Sequence, residues 1–561
     1  MPPSETRLSV AEQDSVLRPQ RVTGTDVGQL REVLHGLGYD PLLTPVSGAA
    51  EKIRLTGTAM NPNAVGQGDL FVAVSGARAH GADFVRDAVE AGAAAVLTDA
   101  AGVDRVREAL GYVLPVIQVE KVRDSAGPAA ATIYGNTADS GPALFGVTGT
   151  NGKTTTSYFL RSLLNQVMAR REKLTGLIGT IEIAAGQETI PSQLTTPEAV
   201  QLHSLMALFR ERGVGAAAME VSSHAISYHR TSGLFYEVAG FTNLTQDHLD
   251  LHGSMEEYFA AKAQLFARRR TRTSVITVDD PWGHQMASAA SGEVITLATA
   301  GQPMEVDWEV VDIELSGLGH AFTLHHARSG ERIRTRTGLP GRFNISNAAL
   351  AAVMVLESKN TEFSRAEVVE ALEQDDPFTI SVPGRMQVIG TSPAAIVDFA
   401  HNPDAMIRTL EAASETRQGD GKIILVIGAA GERDRSKRPT MGAIAVRMAD
   451  HVIISDDDPH REDPAQIRQE LMTGAQEAVE LGELSTVLEE VSPRADAIER
   501  AVSSASHEDT IILAGRGHEV YQDFAGEHHP IDDRAELRAA LLRHGFAPLE
   551  DAGRQNGGET A

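Results

Sequence analysis

Cysteine is absent from the chain, which excludes a disulfide framework, a thiolate zinc site and a cysteine nucleophile together. Basic charge is scarce: 50 Lys and Arg stand against 76 Asp and Glu, a formal net charge of −26. A polyanion needs a basic face to displace its counterions, so no nucleic-acid partner is expected. Local cation sites for a single nucleotide remain open. No apolar run reaches the roughly 18 residues of a membrane span. The opening MPPSETRLSV has neither the charged start nor the apolar centre of a signal peptide. No membrane partner is expected, and the cytoplasm is the default compartment.

What is present is ordinary α/β material, 42% hydrophobic over 561 residues. That length exceeds one core and predicts about two to four domains. Residues 1–25 are polar and expected to be loose. Residues 26–138 hold a small α/β unit, with strands expected at Leu70–Val74, Ala93–Leu97 and PVIQVE at 115–120. Residues 139–380 open on ALFGVTGT and continue through two buried-strand candidates, GAAAMEVSS and VAGFTNLT. Residues 381–547 follow SVPGRMQVIG and carry the strands AAIVDFAH, KIILVIGAAG, HVIISDDDP and TIILAGRGHE. Strands alternating with helices imply parallel sheets, whose ligands gather at the carboxyl ends of the strands. The polar tail, 548–561, has nothing to bury.

The segment LFGVTGTNGKTTTSYFL looks like a phosphate loop with the wrong spacing. The common loop is G-x-x-x-x-G-K-S/T, yet Val147 stands at its first position and Gly149 lies only three residues before Gly152. The context is nonetheless right: a strand, then Gly149, Thr150, Asn151, Gly152, Lys153 and Thr154, then a helix. Glycines let backbone N–H groups close around oxygens, and the helix N-terminus and Lys153 favour anions. Thr154 offers a hydroxyl to Mg²⁺. The bland alternative is a glycine-rich turn with a surface lysine. Glu220 ends a buried strand, where a carboxylate needs a partner. His248 stands between Asp247 and Asp250 in NLTQDHLDLHG, which on its own also reads as a polar turn. With the loop, Thr154, Glu220 and His248 form a candidate Mg²⁺ set, although Mg²⁺ prefers oxygen to imidazole.

TGTNGKTTT, EVSSHAISYHR, FTNLTQDHLDLHG, GRFNISNAALA, VPGRMQ, VDFAHNPDA, GAAGERDRSKRPTMG and LAGRGHEVYQDF occur in one order. This set resembles the Mur ligases of peptidoglycan synthesis, and among them the UDP-N-acetylmuramoyl-tripeptide synthetases, from about residue 50 to 540. The family's own loop is G-x-x-G-K-T, so the loop here is intact. The resemblance implies an α/β protein of three domains. A UDP-sugar domain comes first, then a central P-loop ATPase-like parallel sheet, then a C-terminal dinucleotide-fold-like domain that brings the amino acid. It implies an ATP-dependent ligase, working as a monomer, that activates UDP-MurNAc-L-Ala-D-Glu as an acyl phosphate and joins it to a diamino acid. Lys153, Glu220, His248 and Lys262 would be its catalytic groups. Lys262, on sequence alone a surface lysine of an amphipathic helix, matches the lysine that the family carbamylates to make a further Mg²⁺ ligand. Asn347, Arg385 and Asp398 fall where the family contacts ATP; otherwise they read as caps and a linker ion pair. Thr195, Thr196, Ser222, Tyr228 and Arg230 match acceptor contacts, Tyr228 standing where a related type carries Gln. The family's D-S-R segment for the uridine has no obvious counterpart in TAMNPNAVGQGDLF.

Arg433, Asp457, Asp458, Pro459, His460, Gly515 and Glu519 align with the family's amino-acid site. Enzymes adding meso-diaminopimelate carry D-N-P-R where this chain has DDPH. A histidine, with an ordinary pKa near about 6.5, cannot form arginine's bidentate fork to a distal carboxylate. Asp458 adds negative charge suited to a distal ammonium. L-Lysine is therefore the first expectation, with L-ornithine and then meso-diaminopimelate as alternatives. Another Mur-fold ligase, or a nucleotide-binding scaffold on the same fold, is the rival reading. A scaffold would be expected to lose Lys153, Glu220, His248 or Lys262, and all four are present.

Overall fold

The computed structural model describes residues 18–550, apart from 46–47, 77, 112–113, 302–304, 361 and 418. Three large sheets follow one another along the chain, beside two two-stranded ones. The first runs in the order Leu42–Thr44, Val116–Gln118, Ala93–Thr98, Asp69–Val72 and Gly57–Ala59, parallel except for the edge strand Leu42–Thr44. The expected strands of this unit are present, within a residue or two at each end.

The central sheet places Ala143–Thr148 between Val214–Glu220 and Tyr236–Phe241, all parallel. These strands are buried almost end to end, because helices cover both faces of a parallel sheet. The parallel centre matches the expectation, but both edges are antiparallel. Glu182–Ala185 and Glu188–Pro191 form one edge; Trp308–Ser316, Gly319–His326 and Arg332–Thr337 form the other. The last of these reads RIRTRT, with Arg332, Arg334 and Arg336 exposed and Ile333, Thr335 and Thr337 buried. One face is wet, so the pattern alternates.

The C-terminal sheet runs Gln387–Thr391, Ala394–Asp398, Thr510–Ala514, Ile423–Ile427, His451–Ile454 and Val487–Glu490, antiparallel only at its first pair. The strands AAIVD, IILVI, HVII and TIILA coincide with the four read from the sequence. Much of the two expected loose ends lies outside the described residues. Their described parts are held: Arg18 donates to Asp69 Oδ1 at 3.0 Å, and Leu549 N donates to Ile389 O at 2.7 Å. Asp69 is buried and needs a cation, which Arg18 supplies.

Helix Arg342–Leu356 is apolar on nearly every side and lies between helix Lys153–Ala169 and the strands Tyr236–Phe241 and Thr271–Thr277. A helix so enclosed depends on packing. Leu350→Ala is expected to cost about 2–5 kcal/mol of unfolding free energy, read from the shift of a urea midpoint. A loss below roughly 0.5 kcal/mol, the scale of a surface change, would contradict this placement.

Candidate active site

Strand Ala143–Thr148 delivers its loop to the carboxyl edge of the central sheet. Gly149 has φ 149° and Gly152 φ 90°. A Cβ on Gly149 would overlap Thr242 Oγ1, and one on Gly152 would overlap Asn347 Oδ1. Only glycine fits this close approach. Asn151 N donates to Asn243 Oδ1 at 3.0 Å, so the neighbouring strand's end fixes the turn.

Lys153 and Lys262 converge on this loop. Lys153 Nζ donates to Gly149 O at 3.0 Å and Thr150 O at 2.8 Å; Lys262 Nζ donates to the same Gly149 O at 2.8 Å. Lys262 is buried, 1% exposed, with its Nζ 4.5 Å from the Tyr258 ring centre. Burial pushes its pKa well below the usual lysine range, and Lys153 adds to the effect while Asp247 opposes it. The surface-lysine alternative is excluded. Burial also lowers the Lys153 pKa, against the pull of Glu220 and Asp247.

Glu220 is fully buried. Its Oε2 accepts from Thr154 Oγ1 at 2.9 Å and Thr180 Oγ1 at 3.1 Å, and its Oε1 from Thr180 N at 2.7 Å. His248, at φ 54°, sets its ring edge-on to His224 at 4.7 Å. Burial, with His224, Lys153 and Lys262 nearby, brings its pKa down to about 4 despite Asp247. Its imidazole is neutral at pH 7 and free to act as a ligand. Thr154 and Glu220 give Mg²⁺ the hard oxygens it prefers. The two lysines crowd positive charge that a carbamate on Lys262 would relieve. On these counts the residues fit a metal.

The acceptor set lies beside Glu220. Thr196 Oγ1 donates to Glu220 O at 2.8 Å, Thr195 Oγ1 accepts from Thr180 Oγ1 at 3.1 Å, and Ser222 N donates to Thr196 Oγ1 at 3.1 Å. Arg230 donates to Thr196 O at 3.2 Å and pairs with Glu198 at 3.0 Å. Tyr228 is 40% exposed, with Arg123 and Arg230 guanidiniums 5.9 and 5.8 Å from its ring centre. A cavity of about 180 Å³ opens next to this rim, between the first two domains, lined in part by Arg18, Asn61, Gln193 and Glu198. Arg18 puts a guanidinium on this cavity, where the segment TAMNPNAVGQGDLF offers none. The signal for it was Asp69, an acid inside an apolar strand.

The nucleotide set is divided. Asn347 bonds Thr156 and Asn344 at 3.3 and 3.1 Å beneath the loop. Arg385 reaches Thr154 Oγ1 at 3.4 Å and lies 4.2 Å over the Phe399 ring. Asp398 is already engaged: it accepts from Met386 N at 2.7 Å, Ala400 N at 3.1 Å and Thr409 Oγ1 at 2.9 Å. It acts here as a cap that fastens the start of the third domain. Two residues escaped the sequence reading. Asn402 donates to Asn151 Oδ1 at 3.2 Å, and Asp404 accepts from Asn151 Nδ2 at 3.0 Å, so the third domain touches the phosphate loop itself.

Asp457, Asp458 and Glu519 bring their oxygens within 4.8 Å of one another. Gly515 packs against Asp457. Burial, then Asp457 and Asp458, push the Glu519 pKa up to about 8. Arg516, buried and unforeseen, donates to Asp458 Oδ1 at 2.7 Å. His460 Nδ1 stands 3.0 Å from Asp523 Oδ2, while Pro459 is buried and Arg433 and Arg461 are exposed.

Three family models match: Mur ligase family, catalytic domain, at 54–133; Mur ligase middle domain at 147–355; and Mur ligase, glutamate ligase domain, at 384–517. A Streptomyces coelicolor protein named UDP-N-acetylmuramoyl-L-alanyl-D-glutamate–2,6-diaminopimelate ligase is 41% identical, over 94% of this chain and 98% of its own. A Leifsonia xyli protein named UDP-N-acetylmuramyl-tripeptide synthetase is 42% identical, over 95% of this chain and 99% of its own. A solved 2,6-diaminopimelate ligase of the same description aligns with TM-score 0.61 at 27% identity, covering 93% of this chain and 99% of that one. The phosphate loop, the three sheets and these relatives agree: the chain belongs to the Mur ligase family.

Proposed function

We propose that the protein is an ATP-dependent ligase that joins a diamino acid to the D-Glu γ-carboxylate of UDP-MurNAc-L-Ala-D-Glu. One observation carries the reading: a phosphate loop with Lys153, a buried Glu220–Thr154 pair and the third domain's Arg385 converge at one point. Relatives spanning the whole chain bear names of that activity.

A carboxylate is a poor electrophile until one of its oxygens becomes part of a leaving group. In this reading a γ-carboxylate oxygen attacks the γ-phosphorus of ATP, the bond to the β,γ-bridging oxygen breaks, and ADP leaves an acyl phosphate. The diamino acid's amine then attacks the carbonyl carbon, and phosphate departs with the former carboxylate oxygen. The loop's N–H groups and Lys153 hold the γ-phosphate while its charge shifts. Arg385, Asn347 and Asp398 serve the nucleotide side, Asp398 by fixing the linker that carries Arg385. Thr195, Thr196, Ser222, Tyr228 and Arg230 orient the acceptor. Thr154, Glu220, His248 and a carbamylated Lys262 would hold Mg²⁺, which supplies charge neutralisation at the phosphates when bound. The setting is a monomer in the cytoplasm.

The first expectation for the incoming residue, L-lysine, rested on His460 in place of a fork-forming arginine and on Asp458 as a free anion. Arg516 already neutralises Asp458, which removes the second argument. Relatives from Streptomyces coelicolor and Corynebacterium glutamicum are named for 2,6-diaminopimelate. The reading therefore moves to meso-diaminopimelate. L-Lysine keeps one supporting observation: position 460 is a histidine held by Asp523.

Offered L-lysine, L-ornithine and meso-diaminopimelate separately with ATP and UDP-MurNAc-L-Ala-D-Glu, the enzyme is expected to prefer meso-diaminopimelate by kcat/KM. Preference for lysine would return specificity to His460, and no ligation with any of them would reject the function. For Lys262→Ala, activity is expected to fall by about 10²-fold or more and to recover in part with formate or acetate. Enzyme equilibrated with ¹³CO₂ is expected to show a carbamate carbon signal that Lys262→Ala lacks. Full activity without that signal would leave Lys262 a packing residue.

A further inference from the structure

We propose that Arg494, oriented by Asp533, is a positioning residue for the incoming amino acid. The inference rests on reading Asp457, Asp458, Gly515 and Glu519 as the amino-acid site. Arg494 and Asp533 are both fully buried. The guanidinium forks onto Asp533, Nε to Oδ1 at 2.9 Å and Nη2 to Oδ2 at 2.6 Å. Its other donors do something less common. Nη1 donates to Asp456 O at 3.1 Å and Nη2 to Ala514 O at 3.0 Å.

Those two carbonyls belong to the peptide planes that lead into Asp457 and Gly515. A peptide unit is rigid, so fixing each oxygen also fixes the N–H and Cα of the next residue. The strands His451–Ile454 and Thr510–Ala514 are not neighbours in the sheet, because Ile423–Ile427 runs between them. No ladder hydrogen bond can set one strand's end against the other. Arg494 makes that connection from below, at the point where both strands stop. The same framework extends to Arg516, which follows Gly515 and holds Asp458.

Stability alone is a weak reason to keep such a pair. Burying two charges is costly, and apolar residues of similar volume often serve as well or better. A guanidinium offers what an apolar pair lacks, planar donors in fixed directions.

The test compares steady-state constants and melting temperature. Arg494→Lys keeps a cation for Asp533 but cannot reach both carbonyls. It is expected to raise KM for the accepted diamino acid about tenfold, the weight of one charge-assisted hydrogen bond. KM for ATP and for UDP-MurNAc-L-Ala-D-Glu should stay within twofold, about the scatter of such constants. The double variant Arg494→Met with Asp533→Leu removes the pair and leaves the buried Arg516, whose Nε lies 3.8 Å from Asp533, its ion pair with Asp458; it is expected to fold and show the same selective rise. Wild-type constants in either folded variant, an equal rise in all three KM values, or loss of folding in both would assign the pair to stability and overturn the proposal. Asp457→Asn separates the two readings. If it raises the amino-acid KM and Arg494→Lys does not, the site stands and the positioning role falls. If neither raises it, the site reading falls as well.

Discussion

Two lysine side chains donate to one backbone oxygen, Gly149 O, in the phosphate loop. Little water reaches Lys262, so two full positive charges there would repel strongly. The surroundings answer that repulsion in three ways. Asp247 lies near both lysines, and its own pKa is lowered, against the effect of burial, by His248, His401 and Lys437. Glu220 lies close enough to Lys153 to favour its charged form. Lys262 itself is driven toward the neutral amine. A neutral buried amine is the nucleophile that carbamylation requires, so the packing supports the modification proposed for Lys262.

The same loop is where the second and third domains meet. Asn151 bonds Asn402 and Asp404 of the third domain, and Arg385 reaches Thr154. The first domain closes against the second around the cavity shared by Asn61 and Glu198. The C-terminal sheet brings Asp457, Asp458 and Glu519 together just past its strand ends. The candidate residues of both sheets, central and C-terminal, lie at the carboxyl edges, where the ligands of parallel sheets gather.

The parallel strands were legible because burial on both faces writes a continuous apolar run, as in IILVI and TIILA. The phosphate loop was legible because glycine, lysine and threonine stand in a fixed order between a strand and a helix. The antiparallel edge from Trp308 to Thr337 went unread, its alternation being obscured by charged pairs such as Arg334 with Glu314. Long-range partners were also hidden. Arg18 finds Asp69, and Arg516 finds Asp458, through the fold rather than through spacing. That second pairing altered the specificity argument, since a carboxylate's charge cannot be judged without its partner. Asp398, matched to nucleotide binding, also accepts from Met386 N, Ala400 N and Thr409 Oγ1, partners its spacing did not reveal.

The central claim is that the acceptor's own carboxylate oxygen leaves with the phosphate. The direct measurement is ³¹P NMR of the inorganic phosphate formed when both oxygens of the D-Glu γ-carboxylate are ¹⁸O. The account predicts one ¹⁸O in each phosphate released during ligation. Phosphate free of ¹⁸O, at a normal ligation rate, would contradict the acyl-phosphate route and with it the role assigned to the loop.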